Sequence, residues 1–313
     1  MMETPLTGAV SLLPSVEETP MCSQYSKDIG LDPRGTALNI DALLLVEVPL
    51  PWPKPVFDHP YLNGLEPLIQ TSMGMTRVLA SQPREGNKSV SATIFHKEET
   101  ITRWDFPLDK ENSLTQLVEN LITSNPKSLD SKKSTQNKEA ILLCTQGSHD
   151  ICCGSKGTRL AELIEAHDND IELFKVSHLG GHRFSPTAMT MPDGRMWAGL
   201  DLETIFSIIE KKIEVEKVAK LCRGWIGAAK GPEQIAEIEI FKQTGWKLDK
   251  QNREIITRAS DDKWSIEIAV EDKKWLVCIN KGREVPTITC RSEGGLPFTT
   301  ANEYIVESVE KIT

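Results

Sequence analysis

Ala140-Ile141-Leu142-Leu143-Cys144-Thr145-Gln146-Gly147-Ser148-His149-Asp150-Ile151-Cys152-Cys153 and Ile171-Glu172-Leu173-Phe174-Lys175-Val176-Ser177-His178-Leu179-Gly180-Gly181-His182-Arg183-Phe184 are the two stretches that decide the fold. Each opens on a short, largely apolar run, the mark of a buried strand. Each then breaks into a loop of metal-binding residue types, thiols in the first and imidazoles in the second. Between them, residues 158–166 put Leu160, Leu163 and Ile164 on one helical face. Two more strands, at 187–191 and 195–199, flank the turn Pro192-Asp193-Gly194. Asp201 then caps a long helix with Ile205, Ile208, Ile209 and Ile213 inward.

The order β-α-β-β-β-α is that of a compact thioredoxin-like layer. A right-handed crossover makes its first two strands parallel. Their following loops then open on one side, where open α/β sheets bind ligands. The fold class expected is α/β, with this thioredoxin-like domain at 139–221. A smaller α/β domain precedes it at 21–123, and an α+β extension follows at 222–313.

In the first of these, residues 42–46 read as a buried strand ended by Pro49, Pro51 and Pro53. A helix is expected at 65–79 despite Pro67 and Gly74, then paired strands at 90–95 and 101–104. Ser113 looks like the N-cap of a helix reaching Ile122. Residues 124–138, rich in Ser, Lys, Asn and Gln, read as a linker. The extension is expected to hold a helix at 233–244 and antiparallel strands at 254–258, 265–270, 275–280 and 287–291. The tryptophans at 225, 246, 264 and 275 are assigned to packing. No internal repeat is visible.

Composition narrows the function. With 36 basic and 45 acidic residues the net charge is −9, which disfavours a general role on nucleic acid or anionic lipid. No apolar run approaches the roughly 20 residues of a membrane helix. Residues 1–20 carry Pro5, Pro14, Pro20 and acidic side chains without a basic leader, so they read as a disordered tail rather than a signal peptide. A cytoplasmic protein is expected. Seven cysteines is an odd count with no secretory context, which favours metal or thiol chemistry for any cluster. Only Cys144, Cys152 and Cys153 cluster in sequence, so Cys22, Cys222, Cys278 and Cys290 are read as small buried hydrophobes.

Cys144, Cys153, His178 and His182 are thus a soft-metal donor set. Thiolate suits zinc, Cu(I) or iron–sulfur clusters, and imidazole suits zinc, copper or iron. His178-x3-His182 fits a structural zinc site, but the eight residues between Cys144 and Cys153 are too many for one. A [2Fe–2S] cluster needs a wider cradle, and Gly180-Gly181 would let backbone amides approach its sulfide. On spacing alone zinc and iron–sulfur stand level. The vicinal pair Cys152-Cys153 could instead be a reactive thiol, and His149 could replace one ligand. A thioredoxin-type thiol enzyme using Cys152-Cys153 or Cys144 lacks the C-x-x-C motif. No Walker, G-x-S-x-G or H-E-x-x-H motif is present.

At these residues the chain resembles the sucrase/ferredoxin-like family. The resemblance rests on the Cys144 to Cys153 loop and on Ser177-His178-Leu179-Gly180-Gly181-His182-Arg183-Phe184. Pro186-Thr187-Ala188, Pro192-Asp193-Gly194 and, upstream, Cys22-Ser23, Gly35-Thr36-Ala37 and Leu44-Leu45-Val46-Glu47 add to it. It covers residues 22–201 and fades after Cys222. Leu50 stands where the family usually has Gly.

The resemblance implies a thioredoxin-like ferredoxin domain. In fungal members two Cys and two His hold a [2Fe–2S] cluster, which places the ligands here at Cys144, Cys153, His178 and His182. Cys144 and Cys153 would hold the buried iron and the histidines the outer one, with Cys152 and His149 as bystanders. The expected function is proton-coupled electron transfer to a redox partner protein such as a reductase or ferredoxin, with Arg183 stabilising the reduced cluster or meeting an acidic partner. A zinc-binding structural protein is the remaining alternative.

Overall fold

The computed structural model describes residues 8–84, 91–108, 113–123, 138–148, 151–167 and 171–312. Helix α1 (Cys22–Asp28) precedes strand β1 (Ala42–Glu47), which is buried at every position as its unbroken apolar run requires. Full burial of each of Leu43, Leu44 and Leu45 contributes about 1.5–3 kcal/mol. Strand β2 (Leu68–Thr71) and strand β3 (Gly74–Ser81) occupy the stretch expected as a helix. Gly74 turns the chain at φ +86°, where a Cβ would collide with the Asp41 carboxylate. β3 then pairs in parallel with β1, Leu44 opposite Val78. Tertiary pairing of β-branched residues outweighs a helical pattern already flawed by Pro67 and Gly74.

Strands β4 (Ser91–Lys97) and β5 (Ile101–Pro107) form the expected antiparallel pair. Helix α2 (Leu114–Thr123) starts where Ser113 Oγ accepts from Gln116 N–H at 3.2 Å. Of the linker read at 124–138, residues 124–137 fall outside the described residues.

The second half follows the expected order: β6 (Ala140–Cys144), α3 (Thr158–Glu165), β7 (Glu172–Val176), β8 (Ala188–Met191), β9 (Arg195–Trp197) and α4 (Leu202–Ile209). Asp201 caps α4, accepting from Thr204 N–H at 2.8 Å. The helix is shorter than expected. Lys211 takes a left-handed φ of +54°, so Ile213 lies beyond the helical face. A short helix α5 (Val215–Val218) leads to strand β10 (Cys222–Trp225), which pairs with β9.

All ten strands share one mixed sheet in the order β10-β9-β8-β6-β7-β3-β1-β4-β5, with β2 on β3. The run β9-β8-β6-β7 repeats the order and sense of β5-β4-β1-β3. The two halves meet edge to edge, Ser81 opposite Val176 in antiparallel sense. Sequence shows no such repeat because the crossovers differ. One carries α3, while the other carries the proline-rich stretch after β1 and the strand β2.

Helix α6 (Pro232–Thr244) is buried on nearly all sides, and it packs on β10 and on a separate antiparallel sheet. That sheet is β11 (Glu254–Ser260), β12 (Lys263–Val270), β13 (Lys273–Thr287) and β14 (Thr299–Lys311). The strand expected at 287–291 is instead the end of β13 and a turn. The last strand lies later, where Tyr304, Val306 and Val309 pack on the core. A buried ion network fixes α6 to the hairpin β8–β9. Arg195 forks onto Glu237 through two bonds of 2.9 Å and reaches Asp249 at 2.6 Å, while Arg253 also binds Glu237.

Residues 8–20 are not a free tail. Ala9 is buried, and Glu18 and Pro20 carbonyls accept from Gly294 N–H at 2.8 Å and Arg291 N–H at 2.9 Å. Among the described residues, no helix is long and apolar enough to cross a membrane.

Candidate metal centre

β6 and β7 run parallel with Cys144 directly opposite Val176. The chain therefore leaves both strands at one edge, with His178 two residues beyond the register partner of Cys144. Thr145 N–H donates to the Val176 carbonyl at 3.0 Å and keeps the loops together. The first loop returns through a π-helical turn, Cys153–Gly157, that runs into α3. Gly157 allows this return, because a Cβ there would collide with the Cys144 carbonyl oxygen. Gly154 similarly lies against Gly147. Gly157→Ala is expected to push α3 off the strand end and cost about 1–3 kcal/mol, read as a lower urea midpoint at unchanged slope.

Cys144 and Cys153 are each 1% exposed. Hydrogen bonds from Cys153 and His178 hold the Cys144 thiol well below its ordinary range, and the Leu179 amide adds to this against the effect of burial. The histidine loop is tied on three sides. His178 N–H donates to Gln146 Oε1 at 3.1 Å, Arg77 Nη2 donates to the His178 carbonyl at 3.0 Å, and Arg223 Nη1 donates to the Gly180 carbonyl at 3.0 Å.

Arg223 is fully buried and also donates to Thr36 Oγ1 at 3.1 Å. Burial and then the neighbouring Arg183 push its pKa down to about 10, against the opposing pull of Cys144 and Cys153. It is still a cation at neutral pH, and so favours thiolates at both cysteines. Gly180 and Gly181 take left-handed φ of +77° and +70°. The close approach at Gly181 is to the Arg223 guanidinium, 2.6 Å from where a Cβ would stand.

The four expected donors do not form one closed group. His178 joins Cys144 and Cys153, and its ring centroid is 5.9 Å from that of His182. His182 Nδ1 instead lies 3.2 Å from Cys22 Sγ. Cys22 Sγ lies 3.8 Å from Cys152 Sγ, and Cys22 N–H donates to Cys290 Sγ at 3.4 Å. The three sulfurs fall within 4.8 Å of one another, a group that could hold a metal ion.

Cys22 and Cys152 do sit in one buried apolar cluster, with Cys290 packed against it, as packing residues would; what spacing did not show is that their three sulfurs converge. Long-range convergence carries no spacing signal. The vicinal pair Cys152-Cys153 did carry one. Neighbours on a helical turn point about 100° apart, so one thiol faces Cys144 and the other faces Cys22. His149 lies outside the described residues. Cys222 is core, its thiol pushed up to about 12 by burial.

A cleft of about 850 Å3 opens beside this region, between α1, the His182 turn and α5. Six basic side chains line it, Lys156 and Arg183 among them, against the acidic Asp32, Asp201 and Glu216.

Fold and site together define a mixed α/β protein with buried thiols and half-buried imidazoles beyond the ends of adjacent parallel strands. A family model described as sucrase/ferredoxin-like matches residues 33–224, and the chain belongs to that family. No curated protein and no solved structure matches it. The matched span holds Cys144, Cys152, Cys153, His178 and His182, while Cys22 and Cys290 lie on either side of it.

Proposed function

We propose that this protein is a one-electron carrier whose Cys144, Cys153, His178 and His182 hold a [2Fe–2S] cluster. The observation that carries the reading is the convergence of Cys144, Cys153 and His178, from loops that end neighbouring parallel strands. The sheet order β9-β8-β6-β7, with β6 and β7 parallel, agrees with a thioredoxin-like ferredoxin domain. The cluster would supply reversible one-electron transfer, with imidazole ligands raising its potential and linking it to proton uptake.

The chain's own residues suit that task. Arg223 offsets thiolate charge, and Gln146 and Arg77 fix the His178 loop by its backbone. The Cys22 sulfur beside His182 Nδ1 orients that ring from the outer side, as second-shell partners do. Cys144 and Cys153 are too enclosed for a disulfide substrate to reach, which argues against a thioredoxin-type enzyme. The cytoplasm suits a protein with this many thiols.

The partner is a redox protein that docks over the neighbouring cleft. Its basic lining favours an acidic docking face, although the net charge of −9 alone would suggest a basic one. His182→Cys tests the ligand set. The variant is expected to keep its colour while its potential falls and loses its pH dependence. An unchanged potential and pH profile would remove His182 from the ligands.

A further inference from the structure

The three sulfurs at Cys22, Cys152 and Cys290 come from α1, the turn before α3 and the segment after β13. We propose that they form a second, all-thiolate metal site for a thiophilic d10 cation, Zn2+ or Cu+, which stitches both ends of the chain to the loop carrying Cys153. The proposal is separate from the cluster reading and stands with or without it.

The geometry fits before any metal is added. A zinc–sulfur bond of about 2.3 Å implies sulfurs about 3.8 Å apart in a tetrahedral site. Cys22 and Cys152 stand at 3.8 Å. Cys290 lies within 4.8 Å of both, a gap that small rotamer motion closes.

Thiolate without carboxylate selects zinc or Cu+ over magnesium or calcium. Hydrogen-bond donors to metal-bound sulfur are in place. Cys22 N–H points at Cys290 Sγ at 3.4 Å, and His182 Nδ1 faces Cys22 Sγ at 3.2 Å and can donate when protonated there. Cys22 and Cys152 are fully buried and Cys290 partly so, and three thiolates complete a trigonal Cu+ site or leave Zn2+ one open position.

A disulfide is the competing use of two of these thiols. It would draw Cys22 and Cys152 from 3.8 Å to about 2.05 Å and leave Cys290 beside it as an odd thiol. The stitch has a clear mechanical role. The N-terminal segment also meets the C-terminal turn through backbone bonds from Gly294 to Glu18 and Arg291 to Pro20, and through packing of Leu13, Met21 and Tyr25 with Ile288. A bound cation would join those segments through three further bonds, and would hold Cys22 against His182.

The test uses full-length protein purified without oxygen and stripped by a chelator. Co2+ is added as the spectroscopic stand-in for zinc, and Cu+ is delivered from a competing chelator. Wild-type protein is expected to show thiolate-to-cobalt charge transfer or to retain Cu+, and which of the two it does identifies the cation. Losing even an outer partner of a metal costs about 10–100-fold in affinity. Cys152→Ser and Cys290→Ala are therefore each expected to weaken binding by at least about tenfold, while Cys144→Ser retains it.

Limited proteolysis supplies a second reading, with cleavage in residues 8–28 faster in Cys290→Ala than in metal-loaded wild type. Three results would overturn the proposal: binding of neither ion, binding lost only in Cys144→Ser, or a Cys22–Cys152 disulfide in the anaerobic protein. Loss only in Cys144→Ser would leave the cluster site intact as a reading.

Discussion

Cys144→Ser, purified without oxygen, is expected to be colourless, with iron and acid-labile sulfide at least about tenfold below wild type. Cys144 is the last residue of β6, and its sulfur receives the side chains of both Cys153 and His178. Serine keeps the volume but removes the soft donor from the middle of the group. Cys153→Ser should do the same, because the π-helical turn brings it to Cys144 and the serine offers no thiolate. Cys278→Ser on β13 is the control and should keep the colour, since that residue belongs to the separate antiparallel sheet. Equal loss of iron in Cys144→Ser and Cys278→Ser would mean that unfolding, not ligation, had been measured.

Glu237→Ala is expected to be the most destabilising single change away from the metal centre. Glu237 is fully buried and accepts from Arg195 and Arg253, both of which are themselves buried. Removing the carboxylate strands two buried cations, and breaking a buried pair in this way costs about 3–5 kcal/mol. Asp249 meets Arg195 through one bond at 2.6 Å and does not replace the two-bond fork that Glu237 offers it. A loss below about 1 kcal/mol in urea denaturation would mean that water enters the gap between α6 and the hairpin. The effect should leave metal content per folded molecule unchanged, since Arg195 points away from the β6 and β7 loops toward α6.

The β6-α3-β7-β8-β9-α4 order was readable because each element carries one clear period and one clear end signal. Ala140–Cys144 is an unbroken apolar run, and Asp201 offers its carboxylate at a helix start. Residues 65–79 misled, because Leu65, Leu68, Ile69 and Leu79 mimic helical spacing. The decisive facts there are the parallel pairing with β1 and the turn at Gly74, neither of which is local. The final strand was missed although Tyr304 and Val306 alternate with Glu303, Ile305 and Glu307, the period-two signal it needed.

The candidate centre divides the same way. Cys144, Cys153, His178 and His182 are found by spacing within two loops. Cys22 and Cys290 are 268 residues apart and meet only through the fold. Arg77 was likewise silent, because its work is to hold a backbone carbonyl of a loop it does not adjoin in sequence.

The most direct test of the central claim is the visible and electron paramagnetic resonance spectrum of the full chain purified without oxygen, alongside iron, sulfide and zinc analysis. The account predicts a brown protein, bleached by dithionite to a paramagnetic state, with about two irons and two sulfides per chain bound beyond any zinc. A colourless protein carrying stoichiometric zinc, in which Cys144→Ser or His178→Ala abolishes zinc binding, would contradict it.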